Sequence, residues 1–220
     1  MPKYRACIFD LDGTLADTLG SIAHIANGAL SAFHLPTIEA DRYKLFVGNG
    51  ADKLLSRMLE AVGADLNPQE FGDFRAEYDR RYAADPLGGV NAYPGLVKLL
   101  TDLKAAGVKL GVLSNKPDDM TKVIVKALYG DLPDAAQGQL DGVPKKPDPT
   151  AVLAMTEKLD AAPERILYVG DSGVDMDTAH NAGMTACGVL WGFRSREELE
   201  EHKAAHIVKD AEELRALILP

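Results

Sequence analysis

Tyr4-Arg5-Ala6-Cys7-Ile8-Phe9 runs directly into Asp10-Leu11-Asp12-Gly13-Thr14, an apolar run that ends abruptly on a carboxylate. Tyr4 to Phe9 does not alternate with polar residues, as expected of a strand buried on both faces of a parallel sheet. The next stretch, 18–86, has helical periodicity only. Ile22, Ile25, Ala26, Ala29, Leu30 and Phe33 mark the apolar face of one helix, closed by Pro36. A second helix is expected around Ile38–Phe46, ending at Gly48-Asn49-Gly50, and a third carries Leu54, Leu55, Met58, Leu59 and Val62. Asn67-Pro68-Gln69-Glu70 supplies an N-cap, a proline at the first helical position and a capping-box glutamate for a fourth, broken by Asp85-Pro86-Leu87-Gly88-Gly89.

Beyond that glycine pair, helices and strands alternate. Helices are expected at Gly95–Ala106, Asp119–Tyr129, Pro149–Leu159 and Asp175–Ala182, and after the capping boxes at Ser195 and Asp210. Strands are expected at Val108–Leu113, Arg165–Val169, Met184–Leu190 and His206–Val208. This order predicts an α/β fold with a doubly wound, Rossmann-like parallel sheet formed by 1–17 and 87–220, interrupted by an all-helical insertion at 18–86.

Composition narrows the function classes. The 220 residues are 46% hydrophobic and 26% charged, ordinary for a globular chain, which excludes disorder, collagen and coiled coil as whole-chain readings. Lys+Arg 24 against Asp+Glu 33 gives a net charge of −9 and argues against a nucleic-acid partner. An anionic small substrate stays compatible, because a few local cations reverse the field inside one cleft. The two cysteines, Cys7 and Cys187, sit in apolar strand-like runs and read as buried reduced thiols. The N-terminal apolar run is too short for a secretory segment, and no stretch approaches the ~20 apolar residues of a membrane span. A cytoplasmic protein with no membrane partner is expected, and monomer and homodimer both remain open.

In an open parallel sheet, ligands bind beyond the carboxyl ends of the strands. Four polar segments arrive there: Asp10-Leu11-Asp12-Gly13-Thr14, Ser114-Asn115-Lys116-Pro117, Lys145-Lys146-Pro147-Asp148 and Gly170-Asp171-Ser172-Gly173-Val174-Asp175. Each alone has an ordinary reading. Asp10 could open a calcium loop, but the twelfth position of such a loop is Ser21, not a carboxylate. Asp10 could also cap a helix, Ser114 and Asn115 could shape a turn, and Lys146 could be a solvated surface lysine. All four at the strand ends of one sheet point to a site.

The chain resembles the haloacid dehalogenase superfamily in these segments. Asp10-Leu11-Asp12-Gly13-Thr14 is similar to its first motif, Ser114-Asn115 to the second, Lys146-Pro147 to the third, and Gly170-Asp171-Ser172 with Asp175 to the fourth. The helical insertion has the position and length of that superfamily's cap domain. The Asp-x-Asp form marks the phosphatase and phosphomutase branch. The resemblance implies Asp10 as the nucleophile that forms an aspartyl-phosphate and Asp12 as general acid and base. It also implies Ser114 and the Asn115 backbone on phosphoryl oxygens, and Lys146 neutralising charge on nucleophile and phosphoryl group. It implies a metal held by the carboxylates of Asp10 and Asp171 and the backbone carbonyl of Asp12, with Asp175 as an outer ligand or an anchor for Lys146.

The chemistry agrees with such a set. Enzymes accelerate phosphate-monoester hydrolysis by up to ~10²¹, or about 29 kcal/mol, and a single acid–base group supplies only ~10²–10⁴ of that. Positioning and charge stabilisation must supply most of the rest. Two carboxylates ~4 Å apart repel by about 4 kcal/mol at an effective dielectric of 20, so converging acids call for a cation. With only hard oxygen donors and no His or Cys at a strand end, Mg²⁺ is favoured over zinc.

Within the superfamily, the loop Phe46-Val47-Gly48-Asn49-Gly50-Ala51-Asp52, the segment Ser114-Asn115-Lys116-Pro117 and Val189-Leu190-Trp191-Gly192-Phe193 are similar to the phosphoglycolate phosphatase group. A small phosphorylated metabolite, 2-phosphoglycolate foremost, is the expected substrate. Gly48, Asn49 and Gly50, just before a helix, either form an anion site for its carboxylate or only shape the turn into that helix. The alternatives are a β-phosphoglucomutase-like or other sugar-phosphate or pyrophosphate enzyme and, in another class, a catalytically silent binding protein. The mutase group carries an arginine in the loop where this chain has Ala51, and the intact Asp10 and Asp12 speak against a silent protein.

Overall fold

The computed structural model describes residues 2–220. The chain forms two compact units, one from the segment up to Asp17 with Asn91–Pro220, the other from Thr18–Val90.

The larger unit is built on a six-stranded sheet. β1 (Ala6–Phe9) is followed by a short β2 (Ala16–Asp17), and after the helical unit come β3 (Asn91–Ala92), α4 (Leu96–Ala105), β4 (Lys109–Pro117) and α5 (Asp118–Tyr129). β5 (Ala135–Gln139), α6 (Thr150–Leu159), β6 (Ile166–Gly170), α7 (Gly173–Asn181), β7 (Thr185–Val189), α8 (Arg196–Glu201), β8 (His206–Val208) and α9 (Ala211–Ile218) complete it. The sheet order is β5-β4-β1-β6-β7-β8, and every neighbouring pair is parallel. β1 lies between β4 and β6, with Phe9 opposite Val112 on one side and Val169 on the other. All four β1 residues are at most 1% exposed, which is why the run lacks alternation. Chain order reverses around β1, so the carboxyl ends of β1 and β6 flank the switch point of the sheet.

Ala6, Ile8, Tyr168 and Ala186 pack with Val152, Met155 and Leu159 of α6, Met176 and Ala179 of α7, and Leu199 of α8 into one buried layer. Cys7, Phe9, Leu110 and Val112 alternate onto the opposite face of the same strands, where α4 packs on β4 and α9. Both cysteines are free and buried; burial pushes the Cys187 thiol up to about 12 and the Cys7 thiol higher still, so both stay protonated. β2 and β3 pair antiparallel, Ala16 opposite Ala92, where the chain leaves and re-enters this unit.

The smaller unit is all-helical: α1 (Leu19–Ala32), a 3-10 helix (Ala40–Leu45), α2 (Ala51–Ala61) and α3 (Pro68–Ala84). The Asn67 side chain accepts from the N–H groups of Gln69 and Glu70 at 2.9 and 3.1 Å, and Glu70 returns a bond to the Asn67 N–H at 2.9 Å. α1 and α3 meet through Phe33 and Phe74, whose rings stand edge-on with centroids 5.2 Å apart.

Three readings of the sequence change. The α-helix expected around Ile38–Phe46 is a 3-10 stretch over Ala40–Leu45, and it starts after Ile38, whose N–H and C=O are both taken by the Asn27 side chain at 2.8 Å each. The strand expected to end at Leu113 continues to Pro117, with a register shift after Leu113. β5 was not expected: Ala135-Ala136-Gln137-Gly138-Gln139 carries no β-branched or aromatic residue, and only pairing along β4 makes it a strand.

Candidate active site

β1 delivers Asp10 to the switch point, its N–H bonded to Val169 C=O at 2.9 Å. The chain then folds tightly, with the N–H groups of Thr14, Leu15 and Ala16 all directed to Leu11 C=O. Gly13 makes this turn at φ +85, and a Cβ there would collide with the Asp171 carboxylate, so glycine is required on two counts.

Lys146 is the hub. Its ammonium donates to Asp10 Oδ1 at 2.7 Å, Asp175 Oδ1 at 2.8 Å and Leu113 C=O at 3.2 Å, and the residue is 5% exposed. Burial disfavours its charge, but Asp10 and Asp175 outweigh that and hold its pKa well above the ordinary lysine value. Asn115 fixes the lysine backbone: its Oδ1 accepts from Lys146 N–H and its Nδ2 donates to Lys146 C=O. The second Asp175 oxygen accepts from the Ser172 hydroxyl at 2.7 Å and N–H at 3.2 Å.

Asp171, beyond β6, accepts from Phe193 N–H at 2.7 Å and from the Thr14 hydroxyl at 3.5 Å. Burial, then Asp175 and Asp10, raise its pKa well above the carboxylate range. Asp10 is pushed up to about 7, by burial first and by the Asp175 and Asp12 charges, against the pull of Lys146.

Carboxylate oxygens of Asp10, Asp171 and Asp175 all lie within 4.8 Å of one another. Lys146 pairs with Asp10 and Asp175, so the three buried acids outnumber the ammonium among them, and the donors are all hard oxygens. This set fits a hard divalent cation. Asp175 accepts from Lys146 and Ser172 and so anchors the lysine, while Asp171 accepts from Phe193 N–H and the Thr14 hydroxyl.

The structure brings Asp10, Asp12, Ser114, Asn115, Lys146, Asp171 and Asp175 to the same end of one sheet. Gly48, Asn49 and Gly50 lie in the helical unit, as the turn into α2. There Gly50 has φ +86, and the Asn49 side chain accepts from Arg57 at 2.9 Å. The sequence reading missed Lys116 as a site residue. Its ammonium contacts both Asp12 oxygens, at 3.0 and 3.1 Å, and it lies two residues beyond Ser114, so its position at the strand end was the signal available. It also missed Phe193, whose backbone N–H reaches Asp171, and Trp191, whose indole N–H donates to the Thr14 carbonyl; no side-chain pattern announces a backbone donor such as Phe193.

Residues 7–189 match the model of the haloacid dehalogenase-like hydrolase family. The phosphoglycolate phosphatase of Rhodospirillum rubrum is 34% identical to this chain over 217 residues, spanning 96% of the chain and 88% of that protein. That of Mannheimia succiniciproducens is 31% identical over 223 residues, spanning 98% and 99%. Among solved structures, a predicted phosphoglycolate phosphatase from Haemophilus somnus superposes with a TM-score of 0.90 at 29% identity and covers 99% of both chains.

Proposed function

The chain belongs to the haloacid dehalogenase-like hydrolase family and is a phosphoric monoester hydrolase, and from that premise we propose that it hydrolyses 2-phosphoglycolate through an aspartyl-phosphate, with Mg²⁺ as its cation. One observation carries the reading: Lys146 binds the candidate nucleophile Asp10 and the acid Asp175 at once, in a buried cluster with Asp171.

In this reading an Asp10 oxygen attacks phosphorus and the ester bond breaks towards the alcohol. Asp12, two residues on, gives its proton to the leaving oxygen and then takes one from the water that cleaves the aspartyl-phosphate. Ser114 and the Asn115 N–H hold phosphoryl oxygens, while Lys146 keeps Asp10 in place and offsets charge that builds on the phosphoryl group. Asp10 and Asp171, with the Asp12 carbonyl, would hold Mg²⁺, which when bound neutralises phosphate charge so that an anionic nucleophile can approach. We read 18–86 as the cap domain of this family, with Gly48, Asn49 and Gly50 belonging to the substrate-recognising part.

Steady-state assays over a panel of small phosphate esters, with Mg²⁺ and after chelation, test this. Highest kcat/KM on 2-phosphoglycolate and a Mg²⁺-dependent rate are expected. A preference for a hexose phosphate or pyrophosphate overturns the substrate assignment, and full rate after chelation overturns the metal.

A further inference from the structure

Lys116 is a buried cation that the reaction as drawn does not need. Its side chain is 7% exposed and that of its partner Asp12 is 11% exposed. The ammonium spans both oxygens of Asp12, at 3.0 and 3.1 Å. Its backbone is fixed on every side. The Lys116 N–H donates to Ser114 Oγ at 3.2 Å, and its carbonyl accepts from the Thr121 hydroxyl at 3.3 Å. β5 packs so tightly against that carbonyl that a Cβ on Gly138 would strike it. The side chain is therefore delivered to a set place beside Asp12, on the strand that also delivers Ser114.

A neutral donor such as serine or asparagine would orient Asp12 as well, without the cost of burying an ammonium. What lysine adds is a positive charge with three donors, able to hold two carboxylates at once. In 2-phosphoglycolate the ester oxygen and the carboxylate sit on adjacent carbons. An ammonium that lets go of one Asp12 oxygen to bond that carboxylate frees this oxygen to carry the proton and places the ester oxygen beside it.

We propose that Lys116 is a specificity-determining residue that binds the carboxylate of the substrate's leaving group, so that this site selects phosphate esters of 2-hydroxy acids. The inference rests on the phosphatase reading above and adds which core residue recognises the substrate. It assigns the carboxylate to the core strand and not to the Gly48–Gly50 turn.

The test compares 2-phosphoglycolate with its carboxyl methyl ester, which keeps the phosphate and removes the charge. In wild-type protein with Mg²⁺, kcat/KM favours the acid. In Lys116→Gln that preference falls about thirtyfold, mainly through KM. Asp12→Asn, nearly isosteric and so a safeguard if Lys116→Gln fails to fold, removes the competing carboxylate. By calorimetry its affinity for 2-phosphoglycolate then rises about tenfold relative to that for the methyl ester. Losses in Lys116→Gln that are proportional on both esters, or an unchanged affinity ratio in Asp12→Asn, overturn the assignment and leave Lys116 a partner of Asp12 alone. A preference lost in Gly50→Ala but kept in Lys116→Gln also overturns it. Failure of the underlying reading looks different: wild-type protein then shows no preference for the acid over its methyl ester.

Discussion

Asn115 and Lys146 exchange two hydrogen bonds across 31 residues of sequence, Lys146 N–H to Asn115 Oδ1 at 2.9 Å and Asn115 Nδ2 to Lys146 C=O at 3.1 Å. A side chain on β4 thus fixes the backbone from which the central ammonium projects. Asn115→Ala removes both bonds, each worth about 0.5–1.5 kcal/mol, and lets the lysine shift. Since a 1 Å displacement can cost ~10²-fold, kcat should fall by roughly that factor, and the lost bonds should lower Tm by several degrees. An unchanged kcat would show that the carboxylates alone hold Lys146.

Asp10→Asn should fold and lose turnover by about 10⁴-fold or more, since an amide is no nucleophile. Folding is expected because burial already opposes the Asp10 charge and Lys146 keeps Asp175. Circular dichroism and a sensitive steady-state assay check both halves. Activity within tenfold of wild type would falsify the covalent route.

Asp12→Ala should impair alkyl phosphates more than aryl phosphates, because an acidic phenol leaves without a proton. The measurement is kcat/KM for both ester types in wild type and variant. Equal losses would remove Asp12 as the acid.

Chelation should abolish turnover, and Mg²⁺ should restore it and raise Tm, since a ligand at 100 times its Kd stabilises by about 2.7 kcal/mol. Asp171→Asn should need more Mg²⁺ for half-maximal rate. Identical Mg²⁺ titrations for variant and wild type would exclude Asp171 from holding the cation.

Asn67→Ala deletes the cap of α3 and should cost about 1 kcal/mol of stability, read as a lower Tm. The capping interactions all lie within 67–70, so kcat on 2-phosphoglycolate should stay within twofold of wild type. A larger change in kcat would mean that the helical unit's stability limits turnover.

What the sequence by itself determined is local or periodic. The run Ala6–Phe9 without alternation predicts a central parallel strand, because only burial on both faces tolerates it. Asn67 and Glu70 predict a helix start because both partners of the cap lie within one turn. The candidate acids were legible because a parallel sheet places whatever follows its strands at one edge. What only the tertiary structure decided depends on groups far apart in the chain. Gln137 and Gly138 become strand only beside β4, and Asn27 keeps Ile38 out of the helix expected there by taking both of its backbone groups. Lys116 meets Asp12 across 104 residues and Lys146 meets Asp10 across 136. No spacing rule spans such distances: an ion pair depends on where packing puts two side chains, and the sequence records only that both are charged.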